Sequence, residues 1–149
     1  MKKLCPVLFL FFTMIACKNE KKIDETSSTQ SETAALEIGC YTYENQGDTI
    51  IMKINSAKDS VRGTLDVSYA EKDANSGTFT GYLKENELMA IYTFNSEGKE
   101  SKREIAFLVE DDQLIEGYGD MNAEGTKFKD SKSITYSSKM PLSKEECKN

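Results

Sequence analysis

The 149-residue chain contains no histidine and no tryptophan. Histidine is the side chain most often used to move protons near neutral pH, and it is also the commonest metal ligand. Without it, a cysteine nucleophile has no imidazole to activate it. Neither a Gly-x-Ser-x-Gly elbow nor a Gly-rich phosphate loop occurs. A pair of carboxylates could still hydrolyse a glycoside, but the acidic residues gather at turns rather than facing one another across strands. Positive charge is also short, with 19 Lys and Arg against 25 Asp and Glu. That deficit excludes the basic footprint needed to bind nucleic acid or to lie flat on anionic lipid. Long apolar runs are missing too: the longest, residues 4–16, has about 13 residues, where a spanning helix needs roughly 20. These absences predict a protein that is not an enzyme and uses no cofactor or metal.

What is present begins at the amino terminus. Lys2 and Lys3 precede the apolar run, which is the layout of an export signal. The run closes on Met14-Ile15-Ala16-Cys17, and the next five residues are Lys18-Asn19-Glu20-Lys21-Lys22. An ordinary signal peptide with an incidental cysteine would share the first features. The placement of a small residue and then cysteine at the end of the run resembles the lipobox of bacterial lipoproteins. Met14 stands where that family usually has leucine, and Ile15 where it has a small residue. The resemblance covers residues 1–17 and implies that residues 1–16 are a signal peptide cut before a lipidated Cys17. Several acyl chains would then anchor the protein without a spanning helix. Lys18 is not the aspartate that retains such proteins at the inner membrane, so the resemblance implies the outer membrane of a bacterial cell envelope.

Losing Lys2 and Lys3 with the signal leaves 17 basic residues against 25 acidic ones, a net charge of about −8. Residues 17–36 read as a lipidated cysteine followed by a flexible tether rich in Ser, Thr, Glu and Lys, with too little apolar surface to fold. Residues 37–149 read as one domain. Its two cysteines, Cys40 and Cys147, stand near its ends, and an oxidising compartment permits one bridge between them. Free thiols are the alternative.

From Ile38 onward the apolar period is two. Ile50, Met52 and Ile54 share a face, as do Val61, Gly63, Leu65, Val67 and Tyr69. So do Phe79, Gly81 and Leu83, then Leu88, Ala90, Tyr92 and Phe94, then Ile105, Phe107 and Val109. Clusters of Asn, Asp, Gly and Ser recur between these runs about every 10–14 residues. The pattern predicts an all-β fold: an antiparallel up-and-down meander or small barrel of about eight strands. One short helical turn is expected at the end, from Ser143 and Glu146 in capping-box spacing. Val61-Arg62-Gly63, Phe79-Thr80-Gly81 and Ile115-Glu116-Gly117 form a weak repeat, whose glycines either permit tight bending or open room for a ligand.

Three groups are candidates for function. Tyr69, Phe79, Tyr92, Phe94 and Phe107 fall on the inner faces, where they either pack a core or line an apolar cavity. Glu97 and Arg103 belong to the most charged hairpin, Asn95 to Glu104, where Arg103 either anchors an anion or pairs locally. Asp73 and Asn75 lack the further oxygens that calcium needs. In architecture alone, the predicted domain is similar to calycin-like barrels and to small lysozyme-inhibiting lipoproteins. The function expected is that of a non-enzymatic envelope lipoprotein that contacts an envelope protein. The alternative is a lipocalin-like carrier of a small apolar ligand.

Overall fold

The computed structural model describes residues 36–148 apart from residue 97. The proposed signal peptide, Cys17, nearly all of the tether and Glu97 lie outside the described residues. Nine strands follow in order: β1 (Gly39–Asn45), β2 (Asp48–Ala57), β3 (Val61–Ser68), β4 (Asn75–Lys84), β5 (Glu87–Ser96), β6 (Lys99–Glu110), β7 (Gln113–Tyr118), β8 (Thr135–Tyr136) and β9 (Leu142–Glu145). Strands β1 to β7 form an antiparallel meander, and β9 inserts between β7 and β1. Eight strands thus close into a barrel, with β8 added on the outer half of β7.

Local chemistry sets the hairpins. Gln46 and Gly47, both at positive φ, form the two-residue β1–β2 turn, whose twist matches that of the strands it joins. Asp111 also takes a positive φ in the two-residue β6–β7 turn. That turn fixes the pairing of Val109 with Leu114 and hence which face of β7 points inward.

The predicted inner rows of β2 to β6 are the observed core. Met52, Ile54, Val61, Phe79, Leu88, Tyr92 and Val109 are essentially inaccessible to solvent. The Tyr92 hydroxyl donates to the Leu65 carbonyl at 2.7 Å, so the one polar atom this side chain carries inward is satisfied. Burial, with a smaller contribution from Asp66, pushes its pKa up to about 12.

Glycine at position 63 answers a close approach. A Cβ there would lie 1.9 Å from the Lys53 carbonyl oxygen and 2.8 Å from the Phe79 ring. The β2 strand is irregular beside it, between Ile54 and Ser56. The space at Gly63 is therefore filled by the coiling sheet and an aromatic ring. The third copy of the repeat differs: β7 turns Leu114 and Glu116 inward, and Gly117 faces out beneath Ile134 and Tyr136.

Two boundaries also differ from expectation. Leu36, assigned to the tether, is only 7% exposed and belongs to the core. The helical turn expected at Ser143–Glu146 is instead β9, and among the described residues a single 3-10 turn occupies Ser131–Ser133. Closing the barrel requires a strand between β1 and β7, and those two ladders outweigh one local capping preference.

Cys40, at the end of the β1–β9 pairing, is joined to Cys147, two residues past its partner Glu145, with Cα atoms 5.2 Å apart and a sequence separation of 107. A covalent loop of that length removes about 4–5 kcal/mol of unfolded-chain entropy in the simplest treatment. Replacing both cysteines by alanine should lower urea stability by up to that amount. An unchanged unfolding midpoint would show that the seam does not depend on the bridge.

Candidate binding cleft

Strands β6 and β7 have different lengths, 12 and 6 residues. Their pairing runs only from Glu110 and Gln113 to Phe107 and Glu116. Beyond that point β6 continues to Lys99 alongside β5, while β7 ends at Tyr118. The strands part, and a cleft of about 190 Å³ opens between them.

The loop after β7 roofs this cleft. A bridge between Met121 and Phe128 folds the segment back on itself. Asn122 steadies it, its side-chain oxygen accepting from the Thr126 and Lys127 amides. Glu104 ties the loop to β6: its amide donates to the Thr126 carbonyl, and its carboxylate accepts from the Phe128 amide, both at 2.8 Å. Gly117, Gly119 and Gly125 lie on the lining; Gly117 leaves room for Ile134 and Tyr136 packed over it, and Gly125 takes a positive φ.

Arg103 and Glu116 form the inner wall, and both also border the polar end of the barrel interior. Arg103 extends the inner row of Ile105, Phe107 and Val109 by one step. Its guanidinium carbon lies 5.8 Å from the centre of the Phe94 ring. Phe94 in turn stacks on Tyr92 at 4.8 Å. The Arg103 Nε is buried and has no hydrogen-bond partner among the described residues.

Glu116 continues the inner row of Leu114. Burial raises its carboxyl pKa, an effect that Arg103 and a bond from Tyr118 only partly offset. The Tyr118 hydroxyl donates to Glu116 Oε2 at 3.1 Å and also lies 3.2 Å from Ser138 Oγ. Burial, then the nearby Glu116, raise the pKa of Tyr69 in the same neighbourhood. Three ion pairs occur among the described residues, and none joins Arg103 to Glu116. The two groups sense each other electrostatically without closing a salt bridge.

A second recess, of about 210 Å³, lies on the outer face of β4 to β6. Tyr82 and Ile91, 57% and 40% exposed, make its rim apolar. Glu104 borders both recesses, so they adjoin.

The aromatic residues singled out in the sequence separate into two groups. Phe79, Tyr92 and Phe107 are core. Tyr69 and Phe94 are half-buried and pack against that core. Phe94 lies beneath the Arg103 guanidinium, and Tyr69 borders the interior end that Arg103 and Glu116 share. Arg103 sits within β6 opposite Tyr92, well away from the hairpin tip. Glu116, Tyr118 and Phe128 carry no motif that marks them. Their one sequence signal is a carboxylate in step with Leu114, visible only once the inner face of β7 is known. Among the described residues, no three Cys, Asp or Glu side chains gather closely enough to hold a metal ion. No helix among them is long and apolar enough to cross a membrane. No protein-family model, curated protein or solved structure gives a significant match to the chain.

The raised pKa of Glu116 has a definite pH consequence. The folded state holds this proton more tightly than the unfolded chain, whose carboxyl titrates near 4.5. Any stability gained from protonation is fully present below that value and is lost as pH rises through the folded pKa. Glu116→Gln removes this loss. The stability of Glu116→Gln relative to wild type should therefore rise between about pH 4 and about pH 8 in urea titrations. A difference that stays constant with pH would show Glu116 to be as well solvated as in the unfolded chain.

Proposed function

We propose that this protein is a non-enzymatic interaction module, anchored by lipid at Cys17 in a bacterial cell envelope, that contacts a protein partner. The observation that carries this reading is the filled barrel. Side chains from the inner rows occupy the interior, and the space left at its polar end is about 10 Å³, room for a single water. A carrier of small molecules works with a cavity of several hundred Å³. The two recesses described above lie at the rim and on the outer face, where a partner's side chains can reach them.

Two further features support the reading. The apolar strip around Tyr82 and Ile91 adjoins the Arg103–Glu116 cleft, and an apolar patch beside a small socket suits a protein contact. The overhanging part of β6 carries Lys99, Glu100 and Lys102, all exposed. Beyond Phe107 this edge pairs with no strand among the described residues, and the loop bonds it at Glu104. Charged side chains on such an edge guard against unselective strand pairing.

Two measurements test the anchor and the partner. Cys17→Ser should move the protein from the membrane fraction to the soluble one, and retention in the membrane would rule out the lipid anchor. A photo-crosslinking residue at Tyr82 in the native host should capture one defined envelope protein. Recovery of a small apolar molecule with the purified chain, and of no protein adduct, would favour a carrier instead.

A further inference from the structure

We propose that the cleft between β6 and β7 is a socket for a carboxamide side chain, Asn or Gln, presented by the protein partner. This rests on the interaction reading above and names the group recognised. Arg103 is purely a donor, and its buried Nε is unpaired among the described residues. Arg103 also lines the cleft, so a group seated against that wall meets a donor and is favoured if it brings an acceptor. Glu116 is the complementary group. One of its oxygens already accepts from Tyr118, which leaves the other to receive a ligand N–H.

Charge selects among the groups that offer an acceptor. A carboxylate would satisfy Arg103 but would meet Glu116 beside it and Glu104 at the rim. An ammonium would satisfy Glu116 but would face Arg103 and bring no acceptor. A carboxamide is neutral, planar and carries both functions, with its oxygen toward Arg103 and its N–H toward Glu116. The volume agrees: about 190 Å³ is below that of a site for a free drug-sized ligand but admits one side chain. Met121 and Phe128 supply apolar wall for the methylene stem. Tyr118, 46% exposed, stands at the mouth.

The test uses the full chain carrying Cys17→Ser, labelled with 15N, and follows the Arg103 Nε–H resonance together with the amides of Tyr118 and Phe128. Four probes are titrated separately: N-acetylglutamine methylamide, the matching capped glutamate and capped lysine, and N-acetylglucosamine. The capped glutamine should shift these resonances with millimolar affinity, while the other three bind at least about tenfold more weakly. Arg103→Met should weaken glutamine binding about tenfold or more. Glu116→Gln should instead raise the affinity for capped glutamate, because it removes the repelling charge. That variant keeps the test decisive if Arg103→Met does not fold.

Equal or tighter binding of capped glutamate to the wild-type chain would overturn the proposal in favour of an anion site. Tighter binding of N-acetylglucosamine would overturn it in favour of a glycan. No shift with any probe would remove the site altogether. The two readings also fail separately. Cross-linking at Tyr82 that persists without any glutamine binding refutes the socket alone. Glutamine binding with no captured protein refutes the interaction module and leaves the amide chemistry standing.

Discussion

The whole architecture depends on one short strand closing the ring. β9 has four residues, and it pairs with β1 on one side and β7 on the other. Without it, β1 and the first half of β7 would present open edges, and Leu142 would leave the core it fills. These pairings join the two ends of the domain, so they carry the largest loop-closure cost in the fold. The Cys40–Cys147 bridge sits at that seam and moves much of the cost into the unfolded chain. Surface ion pairs between Lys144 and Glu37 and between Lys148 and Glu44 lie along the same seam, where solvent keeps their contribution small.

Closure at β9 also determines where the barrel opens. β7 is half the length of β6 and divides its outer edge between β9 and β8. Its last residues are drawn toward β8, and the overhanging part of β6 stays with β5. The cleft is thus a consequence of unequal strand lengths, and the loop of residues 119–130 covers it through Glu104. Inner-row positions that would carry apolar side chains deeper in the barrel carry Arg103 and Glu116 here. Both reach the recess because the strands have separated.

Much of this fold is legible in the chain, for a specific reason. Strands β2 to β6 alternate so strictly that each inner row can be read from its own residues, from Ile50, Met52 and Ile54 through to Ile105, Phe107 and Val109. The reading weakens where local pattern is ambiguous. Leu114 and Ile115 are adjacent and both apolar, so either could begin the inner row of β7, and only the two-residue turn at Asp111 and Asp112 decides it. Once Leu114 is inward, Glu116 must be inward too. At the carboxyl end, Ser143 and Glu146 carry a helix-capping pattern that barrel closure overrides. The cleft itself is a meeting of Arg103, Glu116 and Phe128, whose proximity depends on strand lengths and a loop path that no residue spacing encodes.

The placement of Arg103 and Glu116 works against stability. A buried donor costs about 1–3 kcal/mol where neither a protein group nor a water meets it, and a partly buried carboxylate adds its own desolvation. A well-packed apolar pair in the same inner rows would avoid both costs. Elsewhere the core is consistent: among the described residues, no charged side chain falls in its fully buried set. The departure is confined to the one end where the wall is split. Such a local break in an otherwise consistent pattern is where recognition is most readily built, because a ligand can supply the bonds the fold leaves unmade. The raised pKa of Glu116 follows from the same arrangement, since a partly buried carboxylate without a salt bridge is costlier to ionise than one in open solvent.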